Sequence, residues 1–445
     1  MRIVCNLARG TKRKLPFWKD VSVKSEQNYY EATRNNTKRF SKLHEDVRTD
    51  ICVIGAGFTG LGTALELAAR GYSVVVLEAS LVGSGASGKS GGQVASGYSP
   101  GMMATSEIVG RDDAKRLWEF SEDAKRILNN RIADHEIDCD YLQGELYAAP
   151  KKSHINWLKD EQAFVEKEYG YEQYRWIDLD QMRDMLAGER YIGGLLDMEG
   201  GHLHPLNYTL GLANAAANVG VQIFENSAAI SYVLRSGRVE VICDKGRVSA
   251  DSLVLAGNAY LQGVEPSLQR RMVPVKSSII TTEPLGTERA ASLMKTTACV
   301  ADTYEDLDYF KMTPDTRLVY GGQDFSFGKV SRRNNPVRTN MLKTFPMLKD
   351  VTIDYLWSGN LSVTRHRLPD AGRIGSNVYY AHGYSGQGVP LSAVLSKILA
   401  EAISGEMERL DVFGRLPHKS VPKSRFVQLP LVYSMMLWSK LKDLL

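Results

Sequence analysis

At 445 residues and 43% hydrophobic, the chain is long enough to bury a large core and indicates two or more domains. Its net charge of +4 does not indicate nucleic-acid binding, because residues 1–50 hold the whole surplus of basic side chains and the remainder is slightly acidic. No run approaches the ~20 apolar residues of a membrane-spanning helix, and five scattered cysteines show neither metal-ligand nor disulfide spacing. We therefore expect a cytoplasmic protein with no metal site, no nucleic-acid partner and no transmembrane segment.

Residues 1–49 form the first segment and show no sustained hydrophobic periodicity. The segment is basic, and its aromatic residues Tyr29 and Tyr30 are apolar enough to pack against the rest of the protein. We predict a basic N-terminal arm that is partly docked. A solvated tail is the more ordinary interpretation of its charge, and contact with a membrane surface or an acidic partner is the alternative.

The stretch from Ile51 to Glu78 predicts a dinucleotide-binding unit. A short apolar strand leads into Gly55, Gly57 and Gly60, and the helix that follows ends before a second apolar strand. Glycines at this spacing supply a tight turn, close approach of the backbone to a pyrophosphate and close packing of the helix. Glu78 ends the second strand, where a carboxylate accepts hydrogen bonds from ribose hydroxyls, and this suits NAD and FAD equally.

Residues 79–97 contain six glycines among serines. Gly83, Gly85 and Gly88 repeat the earlier glycine spacing, but no helix follows them. The loop should follow the second parallel strand, at the sheet edge where ligands bind in open α/β folds. We therefore predict a ligand-binding loop rather than a flexible linker.

Helices and a hairpin are predicted next. The helices are Ser106 to His135 and Ser153 to Tyr169, and the hairpin joins Ile230–Leu234 to Val239–Cys243. Their periodicities differ, 3.6 residues for the helices and two for the strands of the hairpin.

A buried strand and then a second sheet are predicted after the hairpin. Residues 248–256 indicate one buried strand that enters the turn Gly257-Asn258. From Met272 to Trp357 longer β-type runs predict an antiparallel sheet, which one helix, Asn340 to Phe345, interrupts.

The final glycine-rich turn, His382 to Gly388, lies between a predicted strand at Val378–Ala381 and a predicted helix at Val389–Ile403. A helix that begins at such a turn presents backbone amides and its positive end. These groups suit the pyrimidine edge of a reduced flavin, which carries negative charge. A simple helix cap, the alternative, would need one glycine rather than three.

Residues 429–445 predict an amphipathic segment, with Trp438 among apolar neighbours and with Lys440 and Lys442 on the polar side. The segment is too short and too charged to span a membrane. Packing onto the body of the protein is the main interpretation, and contact with a membrane surface is the alternative.

Five motifs in order, GAGFTG, GASGKSGG, GGHLHPLN, VLAGNAYL and HGYSGQGV, make the chain resemble the FAD-dependent D-amino-acid oxidase superfamily of amine oxidases. The resemblance extends from NYYEATRN at Asn28 to the final glycine turn and its helix. It implies an α/β fold, in which a Rossmann-type FAD-binding domain carries an inserted, mainly antiparallel β-sheet substrate domain. The implied parts are an arm at 1–49, FAD-binding segments at 50–105, 200–260 and 360–410, substrate-domain segments at 106–199 and 261–359, and a C-terminal segment at 411–445.

The same resemblance implies which residues hold FAD. One group holds the ADP half, a second holds the pyrophosphate and the flavin, and a third holds the pyrimidine edge of the flavin. The first group is Gly55, Gly57, Phe58, Thr59, Gly60, Glu78 and Ala79; the second is Ser87, Gly88, Lys89, Ser90, Gly91, Gly92 and Gln93; the third is Gly386, Gln387, Gly388 and Val389, with Gly257 at the turn between.

The implied activity is oxidation of a small-molecule amine to an imine, which water hydrolyses to an aldehyde and ammonia while dioxygen is reduced to hydrogen peroxide. Within the superfamily, the resemblance is greatest to the subfamily that oxidises gamma-glutamylputrescine in putrescine and polyamine catabolism. Two alternatives stay open. One is oxidation of a secondary amino acid, sarcosine-like or pipecolate-like, with dioxygen or a membrane quinone as acceptor, and the other is a flavin-binding regulatory protein without catalysis.

Six residues are candidates for the amine side of the site. His204, Tyr384 and Lys276 are the catalytic candidates, and His202, Arg365 and Arg367 are the candidates for substrate binding. Each has an ordinary alternative: His204 before Pro205 caps a helix, Tyr384 is a core ring, Lys276 is solvated at a strand start, and the arginines lie at a solvated strand edge. The basic run SVTRHRL at Ser362 to Leu368 and the segment Gln323 to Gly328 do not match the family pattern closely.

Overall fold

The computed structural model describes residues 28–235, 237–261, 263–323 and 335–418. The amphipathic segment predicted at residues 429–445 and the start of the arm before Asn28 lie outside these ranges. The helices are α1 (Tyr29–Ala32), α2 (Phe58–Ala69), α3 (Met102–Val109), α4 (Arg111–Asp134), α5 (Lys152–Tyr169), α6 (Leu179–Met185), α7 (Pro205–Asn218), α8 (Pro266–Gln269), α9 (Thr287–Leu293), α10 (Pro336–Thr344), α11 (Gly388–Ile403) and α12 (Glu408–Gly414).

The strands belong to three sheets. In chain order they are β1 (Val47–Arg48), β2 (Ile51–Ile54), β3 (Val74–Leu77), β4 (Gln93–Val94), β5 (Leu142–Ala149), β6 (Tyr174–Ile177), β7 (Gly193–His202), β8 (Gln222–Phe224), β9 (Ser231–Arg235), β10 (Arg238–Ile242), β11 (Arg247–Ala250), β12 (Ser252–Leu255), β13 (Met272–Thr282), β14 (Cys299–Asp302), β15 (Asp308–Met312), β16 (Leu318–Gln323), β17 (Ile353–Thr364), β18 (Asp370–Ile374) and β19 (Val378–His382).

The first sheet has six strands in the order β18-β19-β12-β2-β3-β8. Five of them are parallel, and β18 is antiparallel at the edge. Every residue of β2 and β3 is buried, because both faces of this sheet are covered. Val53 and Val76 pack with the helices α2, α7 and α11, while Cys52 and Val75 pack with the second, four-stranded sheet. Coverage of both faces explains the uninterrupted apolar runs in the sequence.

The four-stranded sheet has the order β1-β11-β10-β9 and contains the predicted hairpin, β9 with β10. Its edge strand β1 comes from the segment before the first parallel strand and pairs with β11 in parallel, with Val47 opposite Val248. The second half of the predicted arm is therefore part of the folded body.

The third sheet has nine strands, with β17-β13-β16-β15-β14-β5-β7-β4 in order and β6 paired to β7. Its pairs are antiparallel except for β14 with β5. Alternate residues divide its two faces: Ile279 and Trp357 pack in the main core with the first sheet's helices, whereas Ile280 and Leu356 pack in a separate cluster. The predicted fold class, a parallel α/β sheet combined with a mainly antiparallel sheet, is confirmed: these are the six-stranded and the nine-stranded sheets.

Two predicted elements are divided in the structure. The helix predicted at 106–135 starts earlier and breaks at Gly110, whose φ of +85° ends α3 and begins α4. The strand predicted at 248–256 is two strands, β11 and β12, which join different sheets on either side of Asp251. An apolar run shows that residues are buried, but it does not show where the chain passes from one sheet to the next.

The helix α4 packs against α11. Its Arg131 lies 3.0 Å from Glu66 of α2 and donates to Ser396 of α11 at 2.9 Å. The domain boundaries predicted from the sequence put this helix in the substrate domain. Its contacts instead place it in the layer of helices that covers the first sheet. No single helix in the described ranges is long and apolar enough to cross a membrane, and α11 with α12 passes that test only as a pair bent by 116°.

Candidate active site

The first glycine turn joins β2 to α2. Gly55 has a φ of +109°, and a Cβ atom built on it would lie 2.9 Å from the carbonyl oxygen of Ala256 at the end of β12. A Cβ on Gly60 would lie 1.9 Å from the carbonyl oxygen of Gly55. These two glycines are therefore required by the close approach of strand, turn and helix.

The carboxylate of Glu78 ends β3 beside this turn. It accepts hydrogen bonds from the amides of Ala56 and Ser80, both at 2.9 Å. Burial, as the main cause, raises the pKa of Glu78 above its ordinary value. These two hydrogen bonds hold the carboxylate at the edge of the sheet, where the sequence predicts that a ribose binds.

The loop after β3 folds back onto the N-terminus of α2. Its residues Ser87–Lys89 form a 3₁₀ turn, and the Ser87 hydroxyl accepts from the Phe58 amide at 3.1 Å. A Cβ on Gly57 would lie 2.7 Å from the same hydroxyl. The bare backbone at position 57 thus leaves the amides of the first helical turn accessible, as a bound phosphate requires.

The last glycine turn lies next to the first one. Tyr384 bonds through its hydroxyl to the Thr59 hydroxyl at 2.7 Å, which joins this turn to the first turn of α2. Asn258 accepts a hydrogen bond from the Gly383 amide at 3.1 Å and another from the Ser362 hydroxyl. Three glycine turns, one after each of β2, β12 and β19, therefore meet at the same edge of the sheet.

Two helices direct their N-termini to this edge. The cap residue of α2 is Gly57 and that of α11 is Gln387, and neither makes a side-chain capping bond. Helices of this length carry a partial positive charge at the N-terminus. A dinucleotide such as FAD fits these two helix N-termini together with the bare backbone of Gly57 and the tethered Glu78.

One face of the nine-stranded sheet packs against the loop at residues 89–92. The indole N–H of Trp357 donates to the Lys89 carbonyl at 3.1 Å. The ring of Tyr309 lies against Gly91, where a Cβ would come within 2.7 Å of it. The sheet and the nucleotide edge are thus in contact through the part of the loop that the sequence assigned to the flavin.

A model of the FAD dependent oxidoreductase (DAO) family matches residues 50–402 of the chain. The chain belongs to this family. Its match begins at the first glycine turn and ends inside α11, so it covers all three turns and the nine-stranded sheet. The protein is accordingly an FAD-dependent oxidoreductase.

Curated relatives and solved structures agree with this assignment. The chain is 39% identical to the gamma-glutamylputrescine oxidoreductase of Escherichia coli over 94% of its own length and 98% of that protein. It is also 39% identical to the probable oxidoreductase OrdL of Haemophilus influenzae, over 90% of its length and 94% of that protein. The crystal structure of a glycine oxidase from Bacillus cereus matches with a TM-score of 0.69 and 21% identity, over 84% of this chain and 100% of that one.

In this FAD-dependent oxidoreductase, the sheet face beside the loop holds a buried lysine that the sequence did not indicate. Lys311 of β15 donates to the Leu203 carbonyl at 2.6 Å, and a Cβ on Gly92 would lie 3.1 Å from its ammonium nitrogen. Burial lowers the pKa of the Lys311 ammonium to about 8. The residue therefore places a positive charge close to the loop below that pH.

Both candidate histidines are buried and have their ring nitrogens engaged. His204 caps α7: its Nδ1 accepts from the Asn207 amide at 3.1 Å, and its Nε2 bonds to the Thr33 hydroxyl at 3.0 Å. His202 on β7 bonds through Nε2 to the Thr297 carbonyl at 3.0 Å. Burial and the nearby Lys311 lower the pKa of both to about 3, so both rings are neutral at ordinary pH.

The remaining candidates lie at different distances from the loop. Tyr384 is a buried ring in the main core, bonded to Thr59. Arg367 is half-buried with a φ of +57° and forms an ion pair with Glu305, and Arg365 is exposed. Neither arginine is brought to the face that meets residues 89–92 by any contact among the described residues.

Lys276 lies on β13, and strand alternation decides which face of the sheet it belongs to. Its neighbour Ser277 bonds to the Tyr309 hydroxyl at 3.0 Å, which puts Ser277 on the face beside the loop. Lys276 is therefore on the opposite face, together with Ile280. The structure brings Lys311 to the loop instead of Lys276.

Four residues that sequence reasoning did not single out thus contact or adjoin the predicted FAD loop or its neighbouring turn. For Lys311 the signal was only a lysine within a short β-type run, DYFKM, which does not show which face of the sheet the lysine joins. For the others no local signal exists, because their roles depend on which strands are neighbours. The four are Asn258, Tyr309, Lys311 and Trp357.

Proposed function

We propose that this protein oxidises gamma-glutamylputrescine, a primary amine, in putrescine catabolism, with dioxygen as the electron acceptor. The observation that carries the proposal is the 39% identity to the gamma-glutamylputrescine oxidoreductase of Escherichia coli, which extends over 94% of the chain. A match of that length spans the nucleotide edge and the sheet face opposite it. The cytoplasmic location expected from the sequence is part of this proposal.

The residues that would hold FAD are those whose geometry fits it. The amides of the first turn of α2, with Gly57 and the Ser87 hydroxyl, would hold the pyrophosphate, and Glu78 would hold the ribose. The first turn of α11, at Gly388, would place a partial positive charge at the pyrimidine edge of the flavin. When bound, FAD supplies the hydride acceptor and returns the electrons to dioxygen.

The protein's own contribution is to bind the amine without its proton. An ammonium ion must lose a proton before its carbon–hydrogen bond can give up hydride. The buried ring of Trp357 and the partly buried ring of Tyr309 make the space beside the loop unfavourable for a charged amine. The Lys311 ammonium, positive below about pH 8, disfavours a second cation in the same place. Burial and like charge therefore both favour the neutral amine, without any side chain acting as a dedicated base.

A panel of amines tests this function by anaerobic bleaching of the bound flavin. Gamma-glutamylputrescine should reduce the flavin rapidly, and sarcosine and pipecolate should do so at least 100-fold more slowly, because a pocket shaped for one amine loses transition-state contacts with another. Peroxide should form in equal amount to the amine consumed, with no increase when a quinone is added. Preferred reduction by sarcosine or pipecolate would contradict the substrate, and turnover that needs the quinone would contradict the acceptor.

A further inference from the structure

The segment ahead of the nucleotide fold inserts a tyrosine into the core next to the FAD loop. Tyr30, on the short helix α1, is 1% exposed. Its neighbour Tyr29 donates from its hydroxyl to Asp315 at 2.6 Å, and Thr33 bonds to His204. These bonds anchor α1 on both sides of Tyr30, so that the ring of Tyr30 is held in a fixed place.

Around the ring of Tyr30 lie Tyr29, His204 and two residues of the sheet face that meets the loop. The ring of Tyr30 lies 5.2 Å from the ring of Trp357 and 4.8 Å from the ring of His204, both edge-to-face. The Lys311 ammonium lies 5.7 Å from the centre of the Tyr30 ring. Trp357 and Lys311 are the residues that reach Lys89 and Gly92, so Tyr30 lies against two side chains that adjoin the cofactor loop.

The hydroxyl of Tyr30 has no hydrogen-bond partner within the described ranges of the chain. Burial, as the main cause, raises the pKa of Tyr30 well above its ordinary value. A buried hydroxyl without a partner is costly and rare in folded proteins. Its presence is explained when a ligand supplies the missing partner.

The space beside Tyr30 is also not fully packed. A cavity of about 20 Å³ is lined by Tyr30 together with His202, His204, Lys311 and Leu203. Residues 89–92 do not line this cavity themselves, but Gly92 lies against two of its lining residues, Leu203 and Lys311. Space of this size next to polar side chains accommodates a small polar group. Both the unmatched hydroxyl and the cavity therefore indicate that the protein alone does not complete this region.

We propose that Tyr30 is a ligand-binding residue of the active site, contributed by the segment that precedes the dinucleotide fold. Its hydroxyl hydrogen-bonds a polar group bound beside Lys311, next to Gly92 of the loop. That group belongs either to the flavin ring or to the amine, and only the amine case rests on the proposed function. The motif NYYEATRN is then part of the site rather than part of a tail.

The test is Tyr30→Phe in the FAD-loaded protein, with Tyr29→Phe as the matched control. Phenylalanine keeps the packed ring and removes only the hydroxyl, so Tyr30→Phe should melt within about 2 °C of wild type, because no protein hydrogen bond is lost. Tyr29→Phe removes the bond to Asp315 and should melt several degrees lower, by about 2–4 °C or more. An equal loss in Tyr30→Phe would show a protein partner for the hydroxyl and would overturn the proposal.

Two measurements then identify the source of the ligand group. If the hydroxyl binds the flavin, Tyr30→Phe shifts the visible spectrum and the midpoint potential of the bound flavin, and Tyr29→Phe does not. If it binds the amine, the Kd for gamma-glutamylputrescine, taken from the concentration dependence of anaerobic flavin reduction, rises about 10-fold with an unchanged spectrum. If a stably folded Tyr30→Phe variant shows neither of these changes, the proposal is refuted. Should no amine reduce the wild-type flavin, the proposed function fails, and the flavin measurements alone decide the role of Tyr30.

Discussion

At the nucleotide edge of the first sheet, the groups that fit FAD are mostly backbone groups contributed by short stretches of chain such as residues 55–60. On the sheet face opposite, the corresponding groups are side chains that come from far apart, with Tyr309 and Lys311 on β15 and Trp357 on β17. A site made of backbone is damaged by adding atoms, whereas a site made of side chains is damaged by removing a charge or a hydroxyl. The two regions should therefore respond to different kinds of substitution.

The largest effect is expected from adding atoms to the nucleotide edge. Gly57→Val would place a branched side chain where a Cβ alone is already 2.7 Å from the Ser87 hydroxyl. We expect the Kd for FAD to rise by roughly 10- to 100-fold, equivalent to the ~1–3 kcal/mol that overpacking costs. Flavin absorbance per chain after gel filtration measures the loss. Gly414→Ala, at a position with open space around it, is the control and should keep its flavin.

The same contrast explains what could be predicted from the sequence. Gly55, Gly57 and Glu78 lie within one strand–helix–strand unit, so their spacing alone predicts their arrangement. Lys311 and Trp357 share a sheet face only because their strands join in the order β17-β13-β16-β15, and a one-residue change of register would move either of them to the opposite face. The nucleotide edge was therefore predictable, and the choice between Lys276 and Lys311 was not.

Buried ionisable groups also separate the two regions, because they lie mainly in and around the nine-stranded sheet. Glu145 of β5 is 2% exposed, and burial together with nearby Asp197 raises its pKa from 4.5 to about 8. A carboxyl with a raised folded-state pKa stabilises the fold below pH 4.5 and loses that contribution as the pH rises to 8. Through this carboxyl, wild type should thus lose about 2 kcal/mol between pH 6 and pH 8, since the slope is ~1.4 kcal/mol per pH unit and falls off as the pH reaches the folded-state pKa.

Glu145→Gln removes this titration while keeping the shape of the side chain. We expect the free energy of unfolding of the variant, measured with urea at pH 6, 7 and 8, to stay nearly constant over the range in which wild type declines. Glu172→Gln, at an exposed position, should follow wild type. Parallel curves for Glu145→Gln and wild type would show that the Glu145 carboxyl is already ionised at pH 6.

A smaller effect, confined to catalysis, is expected from removing the charge on the sheet face. In Lys311→Met the amine no longer lies near a cation, so its bound-state pKa should rise by about one unit. The acid limb of log kcat against pH should then move upward by that amount, and kcat at pH 7 should fall about 10-fold with FAD retained. Lys311→Arg keeps the charge and should keep the acid limb of wild type. An unmoved limb in Lys311→Met would mean that burial alone deprotonates the amine.

The smallest effect is expected at Lys276, which tests the assignment of the two faces. A cation beside the flavin would accelerate its reoxidation by dioxygen, because the first electron transfer creates a negative charge. Lys276 lies on β13 next to Ser277, and Ser277 already occupies the face that meets Tyr309 and the loop. Since successive side chains of a strand point to opposite faces, the Lys276 side chain has the sheet between it and the loop. We therefore expect Lys276→Met to change the reoxidation rate, measured by stopped-flow absorbance, by less than about 2-fold, and Lys311→Met to change it more. A 10-fold slowing in Lys276→Met with normal anaerobic reduction would instead make Lys276 the residue that assists dioxygen, and would place the flavin on the other face of the sheet.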